Sequence, residues 1–296
     1  MANRREILKR RDAVRNIRKI TRTMQLIATA QYQIAYKRAA ATKPFSEKLA
    51  EMVGNLTRAS AGLEHPLMAK PERPDRSAMV VVTSSRGLCG GYNTNVLHAA
   101  VDRLKALESA GIETDLIVAR KKGISFFDFT GREMAERLAG INDKPAFSEI
   151  EPLANRLMES FVGGRIGSTY VVYTHFYSTN RQRPTVMQLL PLSFDNGADG
   201  AGGESVAAPK AVDFEFSPAP EEILGELLPS SVRVRLYQAF TESAVSEQMA
   251  RMVAMTQATD AAQDKIKQLT REYNRARQTA ITMELLDIVG GANALT

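Results

Sequence analysis

The residues with the clearest potential for chemistry lie in a glycine-rich segment, Ser84–Gly91 (SSRGLCGG), between a β-branched run and a helical pattern. Loops in that position can bind phosphate through backbone N–H groups at the start of a helix. The segment matches neither GxGxxG nor GxxxxGK[ST], and no lysine follows to contact a phosphate. We therefore predict a tight structural turn, in which Gly87, Gly90 and Gly91 allow positive φ or close packing.

A cysteine nucleophile is the second chemical possibility. Cys89 is the only cysteine, which fits a reducing compartment, and the neighbouring Arg86 could lower its pKa. The chain has three histidines, none near Cys89 in sequence and none at metal-ligand spacing, namely His65, His98 and His175. No paired-carboxylate, CxxC or HExxH pattern occurs either. The sequence therefore predicts no catalytic site of its own, no cofactor and no metal.

A third group of polar residues lies late in the final helical pattern, within Tyr273–Leu286 (YNRARQTAITMELL). By composition alone it is a solvated helix face. The following segment, Ile288–Leu295, is apolar and contains two glycines. An exposed apolar end on a soluble protein normally marks a surface that another molecule covers.

Composition and charge limit the class of protein. With 296 residues, 44% hydrophobic and 24% charged, the chain is typical of a soluble globular protein and not of a disordered one. No apolar run approaches the roughly 18 residues of a transmembrane helix. Residues 1–60 hold 14 Lys or Arg against 4 Asp or Glu, so a basic amino-terminal helix could meet nucleic acid, an anionic membrane or an acidic protein.

Both ends of the chain show the pattern of long helices. Near the start, apolar residues interrupted by Gln31 recur at steps of 3 and 4, which predicts a coiled-coil seam with a kink or break at Pro44. The positions of that seam are Ile17, Ile20, Met24, Ile27, Gln31 and Ile34. From Ser231 to Val289 there is neither glycine nor proline, and we predict that the last helix starts behind Pro229, at Ser230 or Ser231.

The carboxyl-terminal helix carries the more regular seam. Its members alternate steps of 3 and 4 from Val245 to Asp287: Val245, Gln248, Met252, Met255, Thr259, Ala262, Ile266, Leu269, Tyr273, Ala276, Ala280, Met283 and Asp287. At about 1.5 Å per residue this helix would approach 90 Å, and only the amino-terminal helix is a comparable partner within the chain. An antiparallel pair formed by the two ends satisfies both seams, and a homodimeric coiled coil is the alternative.

The middle of the chain alternates strands and helices. Ala78–Thr83, Thr114–Ala119, Thr169–Phe176 and Thr185–Leu190 are predicted strands, with helices over Asn93–Ala110 and Ile150–Val162 between them. This order predicts a small, mostly parallel, Rossmann-like α/β domain. Outside it we predict a linker at Ser60–Asp75, a mobile loop at Asp195–Pro209, an edge strand at Val212–Phe216 and a short helix at Pro220–Leu228. The expected domains are 1–58, 76–216 and 230–296, the first pairing with the last.

Four segments resemble one known family. RNIRKITRTMQLIATA (Arg15–Ala30), SRGLCGGYNTN (Ser85–Asn95), SEQMARMVAMTQAT (Ser246–Thr259) and YNRARQTAITMELLDIVGGANAL (Tyr273–Leu295) resemble the gamma subunits of F-type ATP synthases, in the right order and over nearly the whole chain.

The resemblance implies a rotor without an active site. The coiled coil would turn inside a ring of alternating alpha and beta subunits, while the α/β domain would bind the epsilon subunit and the membrane c-ring. Met24 lies where the family's shaft faces the lever region of beta. The positions that match contacts with a catch loop of beta are Arg277, Gln278, Thr282 and Glu284. The protein would be peripheral, on the cytoplasmic face of the bacterial inner membrane.

Two other functions are open to a chain with these residues. A coiled-coil scaffold or nucleic-acid-binding protein would use the basic amino-terminal helix and bind DNA with a strong salt dependence. A small α/β enzyme with helical arms would need a ligand at Ser84–Gly91.

Overall fold

The computed structural model describes residues 4–59, 65–69, 75–192 and 220–293. The predicted Asp195–Pro209 loop and Val212–Phe216 strand lie outside these residues, as does most of the predicted Ser60–Asp75 linker. The elements in chain order are α1 (Arg4–Ala59), β1 (Arg76–Val82), α2 (Tyr92–Ser109), β2 (Glu113–Ala119), α3 (Lys121–Phe129), β3 (Glu136–Leu138), α4 (Phe147–Val162), β4 (Ser168–Ser178), β5 (Arg181–Leu190) and α5 (Pro220–Asn293). Throughout the described ranges, no helix has an apolar stretch suited to crossing a bilayer.

The chain divides into two compact units. Met1–Thr29 and Arg251–Thr296 form the coiled-coil unit, and Ala30–Ala250 form the sheet unit. The division falls inside both α1 and α5 rather than at the predicted boundaries of 58 and 230, so each long helix contributes residues to both units.

The sheet unit is built on five strands in the order β3-β2-β1-β4-β5. Strands β3, β2, β1 and β4 are parallel to one another, and β5 runs antiparallel to β4. The β-branched run of β1 is buried on both faces: Val80 lies in the same buried cluster as Ile150 of α4, and Val81 in the same cluster as Val96 of α2. Helices therefore cover both faces, as a mostly parallel sheet requires. The predicted Rossmann-like domain is confirmed.

Two elements of the sheet unit differ from the sequence prediction. Strand β3 was not predicted, because its three residues, ERL, show no apolar run or alternation and are at most half-buried. The predicted helix start behind Pro229 is wrong, since α5 begins at Pro220 and continues through that proline. Leu224, Leu228 and Val232, spaced by four, are almost fully buried in the sheet core. Their burial offsets the ~3 kcal/mol that a proline costs inside a helix.

The amino-terminal helix also continues through its proline. Helix α1 is unbroken at Pro44, which is exposed, and farther along it Val53 and Leu56 join the same core as Leu228. Packing of these later residues holds the part of the helix that follows the missing hydrogen bond.

The coiled-coil unit is an antiparallel pair of helices within one chain. Thr259 Oγ1 donates a hydrogen bond of 2.9 Å to Thr21 Oγ1, and the Arg18 guanidinium donates to the Gln263 amide oxygen. The guanidinium of Arg11 lies 5.7 Å from the centre of the Tyr273 ring. In these three pairs, a lower residue number on α1 goes with a higher residue number on α5. The two ends of the chain therefore pair antiparallel, as predicted.

The predicted seam of α1 is wrong, whereas that of α5 is largely right. Ile17, Ile20 and Ile27 are 52%, 58% and 56% exposed, and Ile34 is exposed as well. In the part of α1 that belongs to the coiled-coil unit, the buried positions are instead Ile7, Thr21 and Ala28, on a different heptad. On α5, Met255, Ala262, Ile266 and Leu269 are buried as predicted, while Met283 and Asp287 at the end of the predicted seam are exposed. Two of the buried positions are therefore small residues, Thr21 and Ala28, whereas the isoleucines of the predicted seam are exposed.

Candidate partner-binding surfaces

The glycine-rich turn after β1 is held together from within. The Asn93 side chain accepts a 2.9 Å hydrogen bond from the backbone N–H of Ser84 and donates one of 2.8 Å to Ser84 Oγ. Ser84 Oγ donates in turn to the Arg86 carbonyl at 2.7 Å. These polar groups are engaged within the turn, which supports the structural interpretation over a phosphate loop.

The three glycines of the turn differ in backbone conformation and surroundings. Gly90 has φ 57°, in the region that favours glycine, whereas Gly91 precedes α2 with φ −80°. A Cβ at Gly87 would only touch the flexible end of Lys122, at 3.7 Å. The second left-handed residue is Leu88, with φ 63°, and its side chain is exposed. Sequence reasoning missed Leu88, because leucine carries no turn signal.

Cys89 does not have the surroundings of a nucleophile. Its side chain is buried, and Asn93 Nδ2 lies 3.2 Å from its sulfur. The Arg86 guanidinium is paired with the Asp143 carboxylate at 2.5 Å. Catalytic cysteines need a partly exposed electropositive environment, which this burial does not provide.

His175 is engaged with two neighbouring side chains. His175 Nδ1 lies 2.5 Å from Glu242 Oε2, and the Tyr173 hydroxyl lies 3.2 Å from the same nitrogen. Within the described part of the chain, no group of three or more His, Cys, Asp or Glu side chains could hold a metal ion.

The predicted contact residues near the end of α5 are exposed. Arg277 and Glu284 are seven residues apart and therefore share a face, while Gln278 and Thr282 share a neighbouring one. The Thr282 hydroxyl donates to the Gln278 carbonyl at 3.0 Å, a bond within the helix. Among the described side chains, neither Arg277 nor Glu284 forms an ion pair, so the charges face solvent.

Large apolar side chains are interspersed with these polar groups. They are exposed by 44–68% and lie on several sides of the helix: Ile281, Met283, Leu285, Leu286, Ile288 and Val289. An apolar surface of this extent is a liability on an isolated soluble protein and indicates a partner that covers it.

A second exposed apolar surface lies on α1 in the coiled-coil unit. Ile17, Ile20, Met24 and Ile27 follow steps of 3, 4 and 3 and so line one face of the helix. The three isoleucines are more than half exposed, and Met24 is half-buried. We call this face the α1 stripe. Sequence reasoning found its residues from their spacing but assigned them to the wrong partner.

The sheet unit has a buried polar centre that sequence reasoning missed. The guanidinium of Arg120, at the end of β2, donates a 2.8 Å hydrogen bond to Glu247 Oε2 of α5, and both side chains are 0% exposed. Arg120 also donates to the carbonyls of Thr83 at 3.4 Å and Asn142 at 3.1 Å. Nearby, Tyr92 Oη and Ser243 Oγ are 2.5 Å apart. Burial, and secondarily the Glu247 carboxylate, raise the pKa of the Tyr92 hydroxyl.

Arg120 occupies a strained backbone conformation. Its φ of 73° and ψ of 160° lie in a region that is used almost only by glycine. Such a residue costs about 1–3 kcal/mol and persists only where the surrounding structure holds it in place. Neither this strain nor the pairing with Glu247 can be inferred from the local sequence.

These features define a class of protein. Asn93 of the glycine-rich turn and the buried Arg120 are committed to internal contacts, whereas Arg277, Gln278, Thr282 and Glu284 are exposed on the coiled-coil unit beside apolar residues. That arrangement is typical of a protein that acts through contact surfaces on long helices.

Comparison with known proteins gives the particular family. Residues 3–295 match the family model described as ATP synthase. The ATP synthase gamma chain of Rhodopirellula baltica is 41% identical over 300 residues, covering 100% of this chain and 99% of the relative. That of Leptospira biflexa is 39% identical over 297 residues, covering 100% of both.

Solved structures agree in fold. The rotor of the Euglena gracilis mitochondrial ATP synthase in rotational state 1 contains a chain that is 18% identical, with a TM-score of 0.62, covering 94% of this chain and 98% of that one. A chain of the same organism's OSCP/F1/c-ring structure in rotational state 3 gives a TM-score of 0.63 at 17% identity, covering 99% and 94%. The protein belongs to the ATP synthase gamma chain family.

Proposed function

We propose that this chain is the central-stalk rotor subunit of a proton-translocating F-type ATP synthase, coupling rotation of the membrane c-ring to conformational changes in catalytic beta subunits. Its family membership supports this function. The observation that carries the proposal is the exposed apolar and polar surface of the coiled-coil unit, on the α1 stripe and at 277–289. A surface of that kind suits a shaft enclosed by other subunits.

The mechanism follows from differential contact. A rod whose faces differ presents a different surface to each of three surrounding catalytic subunits, so each is biased towards a different conformation. The asymmetry is evident in the coiled-coil unit, where α1 shows isoleucines outward and the end of α5 mixes charged with apolar side chains. ATP would be made or hydrolysed in the ring and not on this chain.

The contacts with beta are assigned by position. Met24, at the edge of the α1 stripe, would face the lever region of beta, and Arg277, Gln278, Thr282 and Glu284 would contact its catch loop. The exposure of the last four supports this assignment, since each has hydrogen-bonding capacity directed to solvent. Exposed polar contacts are individually worth little, about 0–1 kcal/mol, so they can be broken and remade at each step of rotation.

The remaining partners follow from the family. The alpha and beta subunits would form a three-to-three ring around the coiled-coil unit, and the sheet unit would bind the epsilon subunit and the c-ring. The chain would be peripheral on the cytoplasmic face of a bacterial inner membrane, which the bacterial relatives support. Some basic residues of α1, such as Lys19 and Arg22, are not among those that contact α5. They would pair with acidic groups of beta, and salt should weaken that pairing.

The nucleic-acid and scaffold alternative is not supported. Two of the basic residues on which it depends, Arg11 and Arg18, are directed to Tyr273 and Gln263 of α5. The pairing of the two helices within one chain also removes the need for a homodimeric coiled coil.

Co-purification tests the proposal. A tagged chain expressed with the other subunits should bring down a ring of alpha and beta with ATPase activity, and a chain ending at Ala250, which lacks the α5 part of the coiled-coil unit, should not. Recovery of the full chain alone or as a homodimer would overturn the proposal.

A further inference from the structure

Helix α5 is attached to the sheet unit by directional bonds as well as by apolar packing. Within one short stretch, Ser243 contacts the Tyr92 hydroxyl of α2 at 2.5 Å, and Ser246 Oγ donates to the Thr174 carbonyl of β4 at 3.2 Å. Glu247 accepts from Arg120 at the end of β2. Residues 241–249 are all buried, so these bonds form away from solvent.

Arg120 makes the most connected of these attachments. Its guanidinium reaches the carbonyl of Thr83 after β1, the carbonyl of Asn142 after β3 and the carboxylate of Glu247 on α5. One side chain thus joins three loops at the carboxyl edge of the sheet to the helix. The planar, multi-donor guanidinium has the geometry for this role, which a lysine ammonium lacks.

Stability alone does not account for this arrangement. A buried ion pair is weak evidence of stabilisation, because well-packed apolar residues of similar volume often serve as well or better. Here the pair also depends on a residue with a strained backbone, at a position where glycine would relax the chain. Buried polar pairs are best attested as devices that specify register, since apolar packing is non-directional whereas a hydrogen-bonded pair has one geometry.

We propose that Arg120 and Glu247 are positioning residues that form a register lock, fixing the axial position and the rotation of α5 about its own axis against the sheet. The proposal rests on the proposed function as a rotor, in which torque borne by the sheet unit must pass into α5. A helix held only by apolar contacts could slip or turn under load, and rotation of the sheet unit would then not be transmitted fully to α5. The paired charges oppose slippage, because any turn of α5 would separate them inside the protein.

The test uses the assembled ATP synthase in membrane vesicles, with the chain carrying Arg120→Met and Glu247→Leu together. This pair retains most of the side-chain volume and removes both charges of the ion pair together. The readout is the number of protons pumped per ATP hydrolysed, normalised to the amount of complex. We expect hydrolysis per complex to persist and the pumping ratio to fall several-fold. A merely structural role would lower the amount of complex and leave the ratio unchanged.

The matched control is Arg156→Met with Glu136→Leu, an ion pair of the same unit at 2.7 Å whose side chains are 52% and 38% exposed. Because it joins α4 to β3 and does not involve α5, it should keep the wild-type ratio. A wild-type ratio in the Arg120 and Glu247 double variant would overturn the register lock.

A second variant covers the case in which the double variant does not assemble. Arg120→Lys keeps the charge opposite Glu247, but one ammonium cannot reach Glu247 and both carbonyls in the guanidinium's geometry. We expect it to assemble with a partly lowered ratio, and an unchanged ratio would overturn the lock. Failure of the wild-type chain to bring down the ring would instead contradict the proposed function, so the two failures are distinguishable.

Discussion

Two polar clusters on the same helix behave in opposite ways. Ser243, Ser246 and Glu247 are buried, and each bonds to a different element of the sheet unit. Arg277, Gln278, Thr282 and Glu284, about thirty residues farther along α5, are exposed. Both clusters combine hydroxyl, amide or charged groups in a helix, so residue type does not separate them. Because the first cluster is buried, its side chains are committed to bonds within the sheet unit. Because the second cluster is exposed, its side chains are available for contacts with another molecule.

The largest effect should come from leaving one buried charge unpaired. Glu247→Leu should lower the free energy of unfolding by about 3–5 kcal/mol, because the Arg120 guanidinium would remain buried without its carboxylate. Chemical denaturation of the purified chain measures the change. Glu136→Leu, which breaks the exposed pair with Arg156, should cost at most about 1 kcal/mol. Equal losses in the two variants would remove the distinction between buried and exposed clusters.

The next effect tests which heptad of the coiled-coil unit is the interface. Ile266→Ala on α5 should cost about 2–5 kcal/mol, because the side chain is 9% exposed and its loss leaves a cavity. The same substitution at Ile20 of the α1 stripe should cost about 0.5 kcal/mol or less in the isolated chain. Thermal unfolding followed by circular dichroism measures both. If Ile20→Ala proved as destabilising as Ile266→Ala, the predicted α1 seam would be right after all.

Part of the pH dependence of stability should come from Tyr92, beside the buried bonds of α5. The pKa of Tyr92 is raised in the folded chain above its ordinary value of 10.0, so the folded state favours the neutral hydroxyl. That stability is complete below about pH 10 and is lost as pH rises through the raised value, at up to about 1.4 kcal/mol per pH unit.

Alkaline unfolding of Tyr92→Phe measures this contribution. The variant should show a shallower loss of stability above pH 10 than the wild type, although it loses the contact with Ser243 at every pH. Tyr170→Phe is the comparison, at a half-buried tyrosine of β4 whose ring centre lies 4.2 Å from the Arg103 guanidinium of α2. An unchanged slope in Tyr92→Phe would contradict the role of burial at Tyr92.

The smallest effect on stability should come from the exposed cluster. Arg277→Ala or Gln278→Ala should change the free energy of unfolding by less than about 0.5 kcal/mol, since neither side chain packs in the fold. Each should leave the complex assembled and lower its ATP turnover per complex. Arg271→Ala, an exposed arginine of the same helix, provides the control and should keep wild-type turnover. Loss of assembly without a change in turnover would mean that the two residues are only structural.

Local patterns predicted most elements of the sheet unit for identifiable reasons. The β-branched run of β1 and the helical pattern of α2 are strong signals, because their residues are buried where their periodicity requires. Strand β3 has too few residues to show a period. The start of α5 was placed too late because proline is a strong local signal, whereas the burial of Leu224 and Leu228 that overrides it depends on the distant sheet.

The sequence by itself predicted the class of fold and the resemblance to a rotor subunit, because heptads and motifs are encoded locally. It favoured an antiparallel pairing of the two ends but left a homodimeric coiled coil open. Only the tertiary structure decided which heptad of α1 meets α5. Periodicity shows that a helix face is apolar but not what covers it, and here Thr21 and Ala28 are buried while Ile17, Ile20 and Ile27 remain exposed. The pairing of Arg120 with Glu247, 127 residues apart, likewise exists only once the chain has folded.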